Sequence, residues 1–353
     1  MASAPRTTLE TLQAGRALAA IAVVCFHANL NVGQDLEPLP AWLSRGMSLG
    51  YLGIDFFFVL SGFIIYYTNV DRAGQPGWGR GYVVNRLSRI YLPYWPVGVG
   101  LAGAYLLFPE VSQGNRQWGW FPTITLLPGT ARPAALSVAW TLQHELLFYA
   151  LAFVLLRWRI VLIGSVVWSA LILAILALGY RSTPGFALLD LEFLFGMAAA
   201  WYCLSRGAGR EALAALVGIA LVLAWFLSAD RTYSVFFGLG LALMLPAIVR
   251  AEWSGKVRVH RVWRLLGDAS YAIYLIHLPL MSLVARLSRG LDPILAAALA
   301  VLASIAAGIA FHRLFELPAL ALVRKRLLPR PTGFHRTDSI EPDRGKEQAE
   351  KHP

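Results

Sequence analysis

Residues 16–33 read RALAAIAVVCFHANLNVG. Nearly every position is apolar, yet the run opens on Arg16 and carries His27 inside it. About 17 to 20 apolar residues is the length at which a helix crosses a bilayer, so this segment reads as a membrane span bearing two ionisable side chains. Comparable runs follow at 49–68, 90–108, 137–156, 160–178, 186–204, 212–228, 233–249, 267–285 and 293–312, ten spans in all. Between the seventh and eighth lies only a short stretch around Asp230 and Arg231. Composition agrees: 57% of the 353 residues are apolar or aromatic and 14% are charged, against about 25% charged in a soluble domain. The expected fold class is all-α, a polytopic membrane protein of about ten helices around a central polar site. Residues 1–328 are expected to form one membrane domain and 329–353, polar and Pro-containing, a disordered cytoplasmic tail. Further spans follow the first, and Arg16 and His27 suit a retained helix better than a cleaved signal peptide.

The net charge is +11. Its basic residues interrupt apolar runs instead of gathering on one polar face, which argues against a nucleic-acid partner and for membrane topology. With the N-terminus cytoplasmic, 24 Lys and Arg fall on the cytoplasmic side and seven on the other: Arg45, Arg116, Arg132, Arg181, Arg231, Arg286 and Arg289. The positive-inside rule therefore expects both termini in the cytoplasm. Cys25 and Cys203, the two cysteines, sit in apolar runs and read as small core residues. In the longest external segment, 109–136, the aromatics Trp118, Trp120 and Phe121 read as an interfacial belt ahead of a substrate loop.

Ionisable groups inside a span cost about 2.5–3.5 kcal/mol each on insertion scales, so they point to a site. Arg16 and His27 are eleven positions apart, which returns to one helix face about 16 Å further along the axis. An Arg at one mouth suits phosphate and a His above it suits proton abstraction. Asp55 lies early in the second span. Thr141, Glu145 and Tyr149 share a face of the fourth, and Ser270, Tyr274 and His277 share a face of the ninth. Glu192 adds a carboxyl from the sixth. Arg86 and Arg89, at the expected start of the third span, pair as a cationic surface for an anionic ligand.

Two motif matches are set aside. Gly98-x-Gly100-x-x-Gly103 lies in a span and follows no strand, so helix packing explains it better than dinucleotide binding. His144-Glu145 begins a zinc-protease pattern, but Phe148 stands where the second ligand is needed, so no metal is expected.

Six motifs occur in order: Arg16-x10-His27; Gly53-Ile54-Asp55-Phe56-Phe57-Phe58-Val59-Leu60-Ser61-Gly62; Arg86-x-x-Arg89-Ile90-x-x-Pro93; Trp140-Thr141-Leu142-x-x-Glu145-x-x-Phe148-Tyr149; Leu266-Gly267-x-x-Ser270-Tyr271-x-x-Tyr274-Leu275-x-His277; and Phe315-Glu316-x-Pro318. Together they resemble the acyltransferase-3 family of integral-membrane O-acyltransferases, over most of the region from Leu12 to Pro318. The opening Leu12-Gln13-x-x-Arg16-Ala17 is most similar to the exopolysaccharide, succinoglycan-type branch.

The resemblance implies a ten-helix core that moves an acyl group, acetyl above all, from cytoplasmic acyl-CoA to a hydroxyl of an extracytoplasmic or lipid-linked glycan at the bacterial inner membrane. It implies essential roles for Arg16 and His27. Acyl-CoA is then a substrate, and no permanently bound cofactor is expected. Basic Arg16, Arg86 and Arg89 suit the CoA phosphates. His27 reads as general base, with a carboxylate such as Asp55 or Glu145 orienting it, or as a nucleophile that carries the acyl group. Ser61, Trp140, Thr141, His144, Tyr149, Glu192, Ser270, Tyr274 and His277 make up the rest of the polar site. Some relatives carry an extra esterase-like domain, which this sequence lacks. The alternative is a glycan or small-anion transporter with the same groups along its path; inverted repeats would favour it, and none is seen.

Overall fold

The computed structural model describes residues 9–35, 37–108, 117–128, 132–180, 183–205, 209–228 and 234–328. Each expected span is a helix. In chain order the elements are α1 (Glu10–Asp35), α2 (Ala41–Ser48), α3 (Gly53–Asn69), α4 (Trp78–Leu107), α5 (Trp120–Thr125), α6 (Ala139–Arg157), α7 (Val161–Ala177), α8 (Leu191–Leu204), α9 (Glu211–Leu227), α10 (Val235–Trp253), α11 (Arg261–Asp268), α12 (Ser270–Leu287), α13 (Pro293–Phe311) and α14 (Leu317–Leu327). Among the described residues no strand occurs. Among the described residues seven helical runs are long and apolar enough to cross a membrane, and α7 and α9, at 17 residues each, are shorter apolar helices. The seventh and eighth spans are indeed two helices, α9 and α10. Arg116, Arg181, Arg231, much of the external segment and the whole tail lie outside the described residues.

Helix ends depart from the apolar windows where polar contacts extend them. α1 begins well before Arg16 because the carboxylate of Glu252, at the end of α10, receives its first amides: Glu10 N–H donates to Oε1 at 2.7 Å and Thr11 N–H to Oε2 at 2.9 Å. The Thr11 hydroxyl donates to the same Oε2. A carboxylate there also complements the positive end of the helix dipole. α4 starts at Trp78, twelve positions before the apolar run marks it, and continues through Pro93 and Pro96. Arg86 and Arg89 therefore sit roughly two to three turns inside α4 instead of at its start. α13 is capped by Asp292, whose Oδ1 accepts from Ile294 N–H (2.9 Å) and Leu295 N–H (3.1 Å), with Pro293 in the first turn. It runs through a π-helical turn, His312–Glu316, into α14.

Small residues bring the helices close. A Cβ at Gly62 would strike the carbonyl oxygen of Phe193, and one at Gly196 that of Val59, so α3 and α8 meet backbone to backbone. Beside this seam Phe58, Phe193 and Phe148 stack, with centroids 4.4 and 4.2 Å apart. Cys203 is buried and Cys25 half-buried, both free. Leu162 and Ile163 on α7 and Leu213 and Leu216 on α9 point outward, as expected of helices whose surroundings are lipid.

Candidate active site

α1, α3, α6 and α12 line two adjoining cavities, the first closed also by α4 and the second by α8. The first, about 100 Å³, is lined by Arg16, Ser61, Arg86, Arg89, Glu145, Tyr149 and Tyr271 among others. The second, about 290 Å³, is lined by His27, Asp55, Trp140, Glu192 and Ser234 among others. Ile54, on α3, and Tyr274, on α12, line both. The division follows the eleven-residue spacing on α1: Arg16 opens on one cavity and His27 on the other.

The boundary is a small latch. Tyr274 OH and Thr141 Oγ1 lie 2.7 Å apart, and both reach the Val138 carbonyl, at 3.1 and 3.0 Å.

In the Arg16 cavity Arg16 is 7% exposed, and among the described residues its guanidinium donates only one long bond, 3.5 Å to Gln13 Oε1. Arg86 lies over the rings of Tyr82 and Tyr149, at 6.0 and 5.5 Å. Glu145 Oε1 accepts from the Ser61 hydroxyl at 3.0 Å and from the Tyr149 hydroxyl. Three guanidinium groups with one carboxylate make a cationic pocket suited to a phosphorylated ligand.

In the other cavity two histidines meet. His27 Nδ1 lies 2.9 Å from the Val23 carbonyl and 3.1 Å from His277 Nε2, while His277 Nδ1 lies 2.6 Å from the Tyr274 carbonyl. A carbonyl only accepts, so both Nδ1 atoms carry hydrogen. His277 Nε2 must then be bare and accept from His27 Nδ1–H. This assigns the His27 tautomer: its Nε2 holds the lone pair and has no partner among the described residues. His27 is thus set up as a base, and His277 occupies the place that the sequence suggested for a carboxylate.

Asp55 and Glu145 are not hydrogen-bonded to His27. Glu145 belongs to the Arg16 cavity. Asp55 shares the His27 cavity but lies beside Glu192 and Ser234. Trp140, 41% exposed, lines the same cavity. His144 lines neither; its Nδ1 lies 2.8 Å from Asp190 Oδ1, and Asp190 Oδ2 also accepts from Ala187 N–H at 2.8 Å. Ser270 is buried at the start of α12, away from both cavities, with its hydroxyl unpartnered among the described residues.

Not singled out from the sequence are Tyr271 and Ser234, which line the cavities, and Asp190 and Glu316, which line neither and partner His144 and His312. Tyr271 and Glu316 stood inside quoted motifs, and Asp190 is a second acid two places from Glu192, which was signal enough. Ser234 carried none. Glu316 is buried in the π turn with His312 Nδ1 2.7 Å from its Oε2. Such turns are frequent at functional sites. Among the described residues no group of three or more His, Cys, Asp or Glu is placed to hold a metal ion.

A membrane helical bundle with the His27 imidazole in one cavity and three guanidinium groups in the next has the geometry that a group-transfer protein needs. Residues 9–313 match the acyltransferase-3 family, described as an acyltransferase domain, and the chain belongs to that family. It is a multi-pass membrane acyltransferase. It is 30% identical over 300 residues to the exopolysaccharide production protein ExoZ of Rhizobium meliloti (strain 1021), an alignment covering 79% of this chain and 92% of that protein. No solved structure matches the chain.

Proposed function

We propose that the protein moves an acyl group, acetyl by preference, from cytoplasmic acyl-CoA to a hydroxyl of an exopolysaccharide or of its lipid-linked precursor. The observation that carries this reading is the free Nε2 of His27, held by His277, in a cavity that abuts one lined by Arg16, Arg86 and Arg89. The family supports acyl transfer over the transporter alternative. The likeness to ExoZ supports a polysaccharide acceptor.

In this reading the three arginines hold the CoA phosphates, and the pantetheine arm passes Tyr274 toward His27. His27 Nε2 takes the proton from the acceptor hydroxyl as its oxygen attacks the thioester carbon. Collapse of the tetrahedral species breaks the carbon–sulfur bond, and the imidazolium returns the proton to the departing CoA thiolate. The products are the glycan ester and CoA. His277 Nε2 steadies the imidazolium through the Nδ1–H it already accepts. The charge bias supports an orientation with both termini and the Arg16 mouth in the cytoplasm, on the donor's side, and the His27 cavity toward the far side of the inner membrane.

The test is genetic. A strain lacking the gene should make exopolysaccharide with its O-acetyl signal lost by proton NMR, and the wild-type gene should restore it. Unchanged acetylation in the deletion refutes the assignment.

A further inference from the structure

Asp55 and Glu192 line the His27 cavity and take no part in the transfer chemistry. They come together because α3 and α8 touch through Gly62 and Gly196. Room for the Glu192 carboxyl comes from α10, where a Cβ on Gly238 would sit 2.6 Å from Glu192 Oε1. Asp55 is 5% exposed and Glu192 fully buried. The Asp55 carboxyl is within interaction range of both the Glu192 carboxyl and the Ser234 side chain. Yet Asp55 Oδ1 and both Glu192 oxygens find no well-formed hydrogen bond among the described residues. Buried polar atoms are seldom left so, since each unmade bond costs about 1–3 kcal/mol. Here the unsatisfied oxygens belong to residues that line the cavity holding His27.

We propose that the Asp55–Glu192 pair is the acceptor subsite, receiving hydroxyls of an uncharged sugar ring next to the one that His27 deprotonates. The proposal rests on the acyltransferase reading above and names the substrate chemistry of its second half. In any ionisation state two carboxyls carry more lone pairs than protons, so they seek hydroxyl donors. They equally disfavour an acidic sugar, whose carboxylate would face them without a countercharge. Among the described residues no Lys or Arg lines this cavity to supply one, whereas the Arg16 cavity has three Arg. At about 290 Å³ the cavity is at the lower end of small-molecule sites. Trp140 at its wall offers the flat apolar face on which a sugar ring can rest.

The experiment uses the full chain in lipid nanodiscs with radiolabelled acetyl-CoA. The acceptor probe is a glycolipid extract from the deletion strain, quantified by hexose content. Asp55→Asn and Glu192→Gln keep size and remove the charge. Each should raise the half-saturating acceptor concentration about tenfold or more, and leave that for acetyl-CoA within about twofold. Transfer by wild type with acceptor half-saturation unchanged in both variants overturns the subsite. So does a rise in the acetyl-CoA value in step with the acceptor value, or loss in both variants of the thermal stabilisation by acetyl-CoA, since either makes the pair structural. Failure of wild type to transfer label at all refutes instead the acyltransferase reading with these substrates.

Discussion

Replacing His277 separates the base from the group that holds it. In the structure His277 contributes one neutral hydrogen bond, 3.1 Å, to His27 Nδ1–H, and the Val23 carbonyl at 2.9 Å holds the same hydrogen. The tautomer therefore survives loss of His277, and what kcat loses is the strengthening of this bond as His27 becomes an imidazolium, from about 0.5–1.5 kcal/mol neutral to about 1.5–3 kcal/mol charge-assisted, a difference of about 1–1.5 kcal/mol. At 1.36 kcal/mol per decade this is about a five- to thirteenfold fall in kcat. Removal of a general base costs about 10²–10⁴-fold. His277→Leu should thus fall in the first range and His27→Ala in the second. His277→Gln, whose amide oxygen can accept from His27, should recover part of the loss. The assay is the initial rate of label transfer from acetyl-CoA at saturating acceptor, with monodisperse elution in detergent as the check on folding. A His277→Leu defect as deep as that of His27→Ala, or a Gln variant no better than Leu, would refute the positioning argument.

Arg16→Ala should weaken acetyl-CoA binding by about 10- to 150-fold if one charge-assisted phosphate contact, about 1.5–3 kcal/mol, is lost, and Arg86→Ala and Arg89→Ala should act in the same direction. Calorimetry decides, and unchanged affinity in all three removes them from the donor site. Glu252→Ala strips the cap from α1 and should lower Tm in detergent by a few degrees, reflecting about 1–2 kcal/mol. An unchanged melting curve would mean that α1 is held by packing alone. For orientation, a reporter fused at Pro353 should be active in the cytoplasm, and a cysteine introduced at Asn115 should react with an impermeant maleimide added to intact cells; an external N-terminus would invert the route.

All ten apolar runs are helical, and seven are long enough to cross a membrane among the described residues; they were legible because apolar length is a local property, recorded in each run without reference to its neighbours. The start of α4 was not, since its first turns are polar and their helicity does not register in an apolar window. Nor was the extension of α1, which depends on a carboxylate some 240 positions away. The site shows the same division. Helical periodicity put Arg16 with His27, and Thr141 with Glu145 and Tyr149, on single faces, and these faces do line the cavities. Which faces meet is a matter of helix packing. His27 and His277 are 250 positions apart, so a carboxylate was the reasonable partner to expect. Asp55 turns from His27 toward Glu192 through the contact at Gly62 and Gly196, and small residues in an apolar run do not reveal which helix they will meet. The family was legible because its six motifs are ordered and each is short.

The central claim is that His27 deprotonates the acceptor at the end of a shaft loaded from the Arg16 side. Its most direct test is a single comparison of purified wild type and His27→Ala in nanodiscs, each supplied with acetyl-CoA and the deletion-strain glycolipid. Binding of acetyl-CoA is followed by calorimetry and ester formation by label in the glycan. Donor binding should stay within about twofold of wild type while ester formation falls at least about 100-fold. Ester formation near the wild-type rate in a His27→Ala protein that binds acetyl-CoA normally would contradict the claim.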